Sequence, residues 1–576
     1  MRTRSKRLGG LVAIAAASVL ILGACGTKSG GGGTNQNQSS PGFAECDAKP
    51  NTCNSGPTKA GGTLVLATEK KLPNFNIFDG DGNTYETAQV MSGLVPSPFI
   101  VYPDSSVKLN EDMMASAELT KQDPQTVVYK IKPEAKWSDG TPISAKDFDM
   151  YWKMNNGKNC PDCAVAGTTG YDQIDKVEGS DNDKTVTVTF KTTFPDWKSL
   201  FGLYPAQVGA KAGDLTTPAG LAKAYEAFKE PPTWSGGPYK FGDYQKDVSL
   251  TLVPNTAWYG KTKPSLEKVI YKIIEDQAQE VPALQNKEVQ VITAQPNADI
   301  VQKVTTMTGV NFNLTSGNTW EHIDLNNKNK YLADPTLRQA IFTAIDRKAI
   351  IDKTVGPFFK KAAPLNSHNI MPGSPGYKDV ISDTGQGAGD IAKATKLLTD
   401  KGYKITGNKL MAPSGEAVPQ LRFRFTVGNV LRQQSGEIVQ NSLKQIGLDV
   451  KLDPAQSLGK ALSTHDYDMI IFAWVGGPFL AGQKDLWSTD GGSNYDGYSN
   501  PDVDKLLAQA ATTLDDTKMR DLLNQSDVIM AKDANVLPLY AKPVFIAVYS
   551  DYINVRNNAN NSGPAYNNQE WGLKAS

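Results

Sequence analysis

The sequence predicts an α/β fold with more than one lobe. From about Gly61 to the C-terminus the chain has more than 500 residues, which exceeds what one hydrophobic core usually serves. Residues 420–475 alternate strand, helix and strand patterns, as α/β folds do. Elsewhere, period-two runs such as Thr185 to Phe190 mark half-buried strands.

In chain order, the first 24 residues read as an export leader. Arg2, Arg4, Lys6 and Arg7 precede an apolar run, Leu11 to Leu22, too short to remain as a spanning helix. Leu22-Gly23-Ala24-Cys25 follows, small residues before a cysteine that can take a diacylglycerol, so Cys25 is the expected lipid acceptor. Residues 25–60 contain Gly30 to Gly33 and Asn35 to Gln38 and are expected to form a flexible tether. Later in the chain there is no uninterrupted apolar run of about 18 residues. The mature protein is therefore expected on the outer face of the cell membrane, held by lipid.

The whole chain has 60 basic and 60 acidic residues. The leader holds four of the basic ones and no acid, which leaves 56 against 60. Such a balance argues against nucleic acid as a partner. With Cys25 set aside, four cysteines remain, and in an oxidising compartment the simplest pairing is Cys46–Cys53 and Cys160–Cys163. Cys160-Pro161-Asp162-Cys163 also has the spacing of a redox or zinc pair, but zinc needs two more ligands. The only histidines, His322, His368 and His465, are widely scattered, so no metal or cofactor is expected.

Gly61 to Ala67 reads as a buried strand, and Leu72 to Gly82 as a loop. Thr126 to Ile131 and Thr185 to Phe190 are strands, and Ser144 to Lys153 is a helix with Ser144 and Asp147 placed for a capping box. Val248 to Val253 and Val269 to Ile274 are strands, followed by a helix over Glu275 to Asn286. Asp334-Pro335 opens a helix that carries Leu337, Ile341, Ala344 and Ile345 at helical spacing. Ile391 to Asp400 is a helix closed by Gly402. Leu421 to Val427, Leu448 to Leu452 and Asp468 to Trp474 are strands, with a helix over Ser435 to Gln445 between the first two. Asp502 to Ala511 and Thr517 to Ala531 are amphipathic helices. Val536 to Tyr549 is a strand whose Pro538 and Pro543 suit an edge or a crossing segment.

Six blocks in order resemble the bacterial extracellular solute-binding proteins of family 5, the oligopeptide, dipeptide and nickel type. They include Lys136-Trp137-Ser138-Asp139-Gly140-Thr141-Pro142 with Asp147-Phe148, then Ser235-Gly236-Gly237-Pro238-Tyr239-Lys240. Asp334-Pro335-Thr336-Leu337-Arg338 with Asp346-Arg347 follows, then Tyr467-Asp468-Met469, Gly497-Tyr498-Ser499-Asn500-Pro501 and Leu537-Pro538-Leu539-Tyr540. Each block also has a structural use: Trp137 packs, Gly236-Gly237-Pro238 shapes backbone, and Arg338 and Arg347 pair with acids or cap a helix.

The resemblance implies a two-lobed periplasmic-binding-protein-like fold (type II, large cluster with an extra subdomain), mixed sheets flanked by helices, and a hinge between the lobes. It places lobe I at 61–91, 231–314 and 544–576, an accessory subdomain at 92–230 and lobe II at 315–543. It implies the substrate-binding component of an ABC importer. That component would close on an oligopeptide by hinge motion and deliver it to a permease with a cytoplasmic ATPase, as a monomer. Alternatives on the same fold are a nickel or other metal chelate, haem, an opine or a sugar. A secreted hydrolase is a further alternative, but no G-x-S-x-G, H-E-x-x-H or complete P-loop occurs, since Asn255 stands where the first glycine before Gly260-Lys261-Thr262 belongs. Aligned to the family's cleft, Asp79 and Asp81 fall in the loop after the first strand. Trp474 falls at a strand-end cleft tryptophan, Asn494 and Tyr495 in a contacting loop, and Trp320 and His322 on a crossing strand. Peptide-binding members follow that tryptophan with an aspartate for the peptide ammonium. Here Gly477 stands at about that place, so Asp79, Asp81 or Asp485 would have to serve instead, or the ligand lacks a free amine there.

Overall fold

The computed structural model describes residues 39–575. The leader, Cys25 and the tether up to residue 38 lie outside the described residues.

A ten-stranded mixed sheet runs through the protein. Its strands are β1 (Thr63–Thr68), β2 (Tyr239–Gln245), β3 (Ser249–Pro254), β4 (Lys268–Ile273), β5 (Val291–Ile292), β6 (Val310–Leu325), β7 (Leu421–Thr426), β8 (Val450–Ala455), β9 (Met469–Val475) and β10 (Val536–Tyr549). Across the sheet the order is β8-β7-β9-β6-β10-β5-β1-β4-β3-β2. The two longest strands, β6 and β10, pair antiparallel along their length and belong to both halves. On one side β10 meets β5, and on the other β6 meets β9. They join the two halves of the sheet and run across the boundaries at 314/315 and 543/544 that the family resemblance implies between the lobes. Both prolines of β10 sit where pairing is irregular: Pro543 opposite Ser316 and Pro538 opposite His322, each beside a register shift. Proline has no N–H to give a ladder, so such breaks are where a long strand can accept it.

A second sheet, four antiparallel strands over residues 114–190, lies in the accessory part. Its strand Thr185–Phe190 alternates half-buried and buried residues along its length. The helix Ala145–Asn155 begins with the expected capping box: Asp147 accepts from the Ser144 amide at 2.8 Å and from the Trp137 indole at 3.3 Å. Asp147 also accepts from the Ala206 amide at 2.7 Å. Burial pushes its carboxyl up to about 6 against these bonds.

The accessory part and lobe I share one core, in which Leu64 and Trp571 are continuous with Trp137, Phe148 and Tyr204. A second core runs from Val281 and Ile300 past Leu314 and Ile323 to Ile341, Phe423 and Leu443. It therefore passes under the crossing strands rather than stopping at them.

Three expectations are corrected by the structure. Residues 39–60, expected to belong to a flexible tether, are docked: Phe43 is fully buried, and Thr58–Lys59 pairs with Gly572–Lys574. A disulfide and several hydrogen bonds hold this glycine-poor stretch. The helix expected from Asp334 on is two helices, Pro335–Ala344 and Arg347–Lys353, parted at extended Ile345 with Asp346 capping the second. Of the two uses expected for these arginines, Arg338 takes the capping one, donating to the carbonyl of Asp533 at the C-terminus of the helix Asp516–Lys532, while Arg347 does neither and bonds backbone carbonyls and the Asn366 side chain. Arg338 reaches Leu332, Ala333, Asp533 and Ala534, and Arg347 reaches Leu365, Pro538 and Gln386. Each stitches loops that leave carbonyls without partners, a use that five fixed donors suit.

Candidate functional site

Two contacts made by charged side chains reach across the cleft. The Ala481 amide donates to Asp196 of the accessory part at 2.6 Å. Lys361 of lobe II forms an ion pair with Asp47. Between the lobes lies a cavity of about 670 Å³, lined by Asn313, Ser316 and Asn318 of β6, Tyr377 of lobe II and Asn557 of lobe I. Its charged lining groups are Asp47, Asp104 and Lys361. Asn313, Thr315, Ser316 and Asn318 make the β6 side of the wall neutral and hydrogen-bonding, beside apolar groups such as Pro364, Leu365 and Met371, a mixture that suits main-chain amides and varied side chains better than a dense charge.

A second cavity of about 500 Å³ is cut into lobe I between Phe78, Ala166, Gly236 and Ser562. Asn560 connects this part of the chain to the first cavity, since it accepts from Asn318 at 3.1 Å and donates to the Tyr102 carbonyl at 3.1 Å.

None of the seven residues expected at the ligand lines either cavity. Asp79 is 2% exposed and fully used inside lobe I. It accepts from Lys229 at 2.9 Å, Asn74 at 2.8 Å, Tyr225 at 3.1 Å and the amides of Asp81 and Gly82. Burial opposes its charge, yet these bonds together hold the carboxyl below its usual range. Asp79 shapes the loop and has no lone pair left over for an ammonium. Asp81 is exposed beside it. Asn494 braces its own loop, donating to the carbonyls of Ser488 and Tyr498 at 2.8 Å each. Asp485 likewise accepts from the Gly492 amide and the Ser493 hydroxyl.

The other four come together as an aromatic stack. Trp320 of β6 is directly opposite Trp474 of β9, and His322 opposite Phe472. The Trp474 ring stacks on Tyr495 at 5.8 Å with an 11° angle and on His322 at 6.1 Å with a 10° angle. Trp320 and His322 are buried, whereas Trp474 and Tyr495 are half-buried. His322 is the inner member: burial pushes its pKa down to about 3, and its Nδ1 lies 2.7 Å from Asp324. Burial also raises the Asp324 carboxyl. The stack fixes the strand end from which Val475 to Pro478 leave. Gly476 donates to the Asn318 carbonyl at 2.8 Å, and a side chain at this position would run into Met371. Both Asn318 and Met371 line the interlobe cavity. Trp474 is therefore one turn of chain away from the cavity, and Gly477 has open space where a side chain would project.

Both disulfides pair as the simplest assignment expects. The residues after Cys163 back the lobe I cavity: Ala166 donates to the Phe78 carbonyl and Gly80 to the Ala164 carbonyl, 2.8 and 2.9 Å. Reading the sequence alone misses Asp196, Asp47, Lys361 and the asparagines of β6. Each is an ordinary polar residue until the fold brings it to its partner.

Residues 108–497 match the family described as bacterial extracellular solute-binding proteins, family 5 Middle. The oligopeptide-binding protein OppA of Mycobacterium tuberculosis is 30% identical over 504 residues, covering 86% of this chain and 82% of that protein. Among solved structures, a periplasmic EDTA-binding protein, EppA, superposes with a TM-score of 0.85 at 34% identity, covering 92% of this chain and 99% of that one. The oligopeptide-binding protein AppA of Bacillus subtilis, in complex with a nonapeptide, shares the fold at a TM-score of 0.70 and 21% identity, covering 90% of this chain and 100% of that one.

Proposed function

The chain belongs to the bacterial extracellular solute-binding proteins of family 5, and from that premise we propose that it is the substrate-binding component of an ABC importer that captures oligopeptides between its lobes. The observation that carries this reading is the interlobe cavity of about 670 Å³, walled by neutral amide and hydroxyl groups on a crossing strand. A peptide bound by its main chain needs such a wall and tolerates varied side chains. Closure draws on contacts made to both lobes at once, because a ligand held by one lobe alone shifts no equilibrium. The closed form then docks on a membrane permease driven by an ATPase. The protein acts as a monomer, without enzymatic turnover, held at the membrane by lipid on Cys25. Among the described residues, no helix is long and apolar enough to cross a membrane. Native mass spectrometry of undenatured protein is expected to show a heterogeneous set of peptide masses. A single non-peptide mass would sink the peptide reading.

One observation favours a second cargo. No carboxylate follows Trp474 at the place where a peptide ammonium would need one, and the chain is 34% identical to a protein named for EDTA binding. A polyaminocarboxylate chelate has no free ammonium and gains from a glycine there. Gly477→Asp separates the two. Space is open at this position, so the variant is expected to fold. Calorimetry is expected to show about tenfold tighter binding of a free-amine pentapeptide and unchanged binding of its N-acetyl form. Tenfold corresponds to about 1.4 kcal/mol. If instead wild-type protein binds Fe(III)–EDTA and Gly477→Asp abolishes that, the chelate reading wins.

A further inference from the structure

The cavity has a wall that belongs to neither lobe. Cys46, Asp47, Pro50 and Cys53, from the docked N-terminal stretch, line it. The Cys46–Cys53 bond closes this stretch into a small loop. On its lobe I side the loop is firmly tied. Arg556 donates to the Cys53 carbonyl at 2.7 Å and to Ser55, and Asn54 donates to the Val555 carbonyl at 2.9 Å. Before the loop, the Ser40 hydroxyl accepts from the Phe312 amide of β6 at 2.9 Å, and the Ser40 amide donates back to the Phe312 carbonyl at the same distance. On its lobe II side it has one ionic tie, Asp47 to Lys361. Both partners of that pair keep about half of their side chains exposed, 50% and 42%, so solvent can enter and part them.

We propose that the disulfide-closed loop 46–53 is a third wall and clasp of the ligand cavity, fixed to lobe I and released from lobe II each time the cleft opens. The proposal rests on the reading of the interlobe cavity as the ligand site. The asymmetry of the ties carries it. Several buried bonds hold the loop to one lobe, and a single accessible ion pair holds it to the other. The weak side must part first when the lobes separate. A cross-linked loop stays shaped while it is detached, so it can re-engage without being ordered again. Since the loop lies about twenty residues after Cys25, the clasp also places one cavity wall on the same short stretch that leads to the expected lipid.

The clasp can be tested without a ligand. Spin labels at Lys246→Cys and Lys404→Cys, exposed positions on lobe I and lobe II, report the distance between lobes in the full chain. Lys361→Glu faces Asp47 with a like charge and is expected to raise the ratio of open to closed forms roughly two- to fivefold, the range that an exposed pair supports. The swap Asp47→Lys with Lys361→Asp is expected to restore it. Cys46→Ser with Cys53→Ser is expected to shift the ratio in the same direction and to speed proteolysis within 39–57. The clasp is overturned if Lys361→Glu leaves the distances at their wild-type values, or if the charge swap fails to restore them. Titration with a random pentapeptide pool reads the ligand site separately, and failure there refutes the peptide reading without touching the clasp.

Discussion

Replacing Asp527 by alanine is expected to destabilise lobe II by about 3–5 kcal/mol, read as a fall in the urea midpoint at unchanged slope. Asp527 and His368 are both fully buried and joined Nδ1 to carboxylate. The other ring nitrogen donates to the Val536 carbonyl of β10 at 2.8 Å, so the imidazole has acceptors on both sides. The Ser367 hydroxyl, at 2.7 Å, and the His368 amide also donate to Asp527. Burial opposes a charged ring, but Asp527, the bond to it and the Val536 carbonyl outweigh burial and raise the His368 pKa. Removing the carboxylate leaves a ring, a hydroxyl and an amide unsatisfied in the core, and this is the expensive way to break such a pair. Because the folded pKa is raised, the pair's contribution is fully present below about pH 6.5, the unfolded histidine value. It is lost as pH rises through the higher folded value. The wild type should therefore lose an increment of stability on the alkaline side that Asp527→Ala lacks. A double variant, His368→Leu with Asp527→Leu, is expected to cost less than Asp527→Ala, since it leaves no orphaned charge. An unchanged midpoint for Asp527→Ala would overturn the account.

The elements that local chemistry dictates were legible in the sequence. Thr185–Phe190 alternates because each second residue must be buried, and the structure buries Val186, Val188 and Phe190. Ser144 and Asp147 cap their helix by a bond that any chain with those residues could form. Pro538 and Pro543 identified β10 as unusual, and their places opposite register shifts explain how a crossing strand holds them. The length of β6 was less visible, because Gly317 and the run of asparagines interrupt its period near the hinge. The candidate site was legible only as an address. Trp474 was placed at a strand end near the cleft, but its own stacking on Tyr495 and His322 could not be foreseen, nor that Asp79 spends its oxygens on Lys229 and Tyr225. The contacts that close the cleft join residues 285 and 314 positions apart. Neither leaves a local pattern, since a lone aspartate in a loop looks the same whether it faces water or the opposite lobe.

Asp196 is the residue at which closure should respond to pH. It is 9% exposed, and it accepts from the Ala481 amide across the cleft. Burial pushes its carboxyl up to about 6. The Ala481 and Leu480 amides and the Arg520 charge pull the other way, and Asp516 adds to the rise. Ala481, Leu480, Arg520 and Asp516 all lie across the cleft, so opening it removes their contacts; because it also lets water reach the carboxyl and ends the burial that is the largest cause of the rise, the group is expected to return toward about 3.9. A group whose pKa is higher in the closed form takes up a proton on closing. Between about pH 4 and 6 the closed form therefore gains as pH falls, and above about pH 6 it bears the full cost of a buried carboxylate. That cost is about 3 kcal/mol for a rise of roughly two units. Asp196→Asn keeps an oxygen for the Ala481 amide and carries no charge. It is expected to close more readily at pH 7, to bind a peptide pool about tenfold tighter, and to lose the pH dependence between 4 and 7. Asp196→Leu keeps the bulk but leaves the Ala481 amide unpaired, at a cost of about 1–3 kcal/mol, and is expected to bind more weakly than Asp196→Asn at every pH. Calorimetric titrations of the three proteins at pH 4.5, 6 and 7.5 check both signs. If the asparagine variant follows the wild-type pH profile, the carboxylate is not the group that closure protonates.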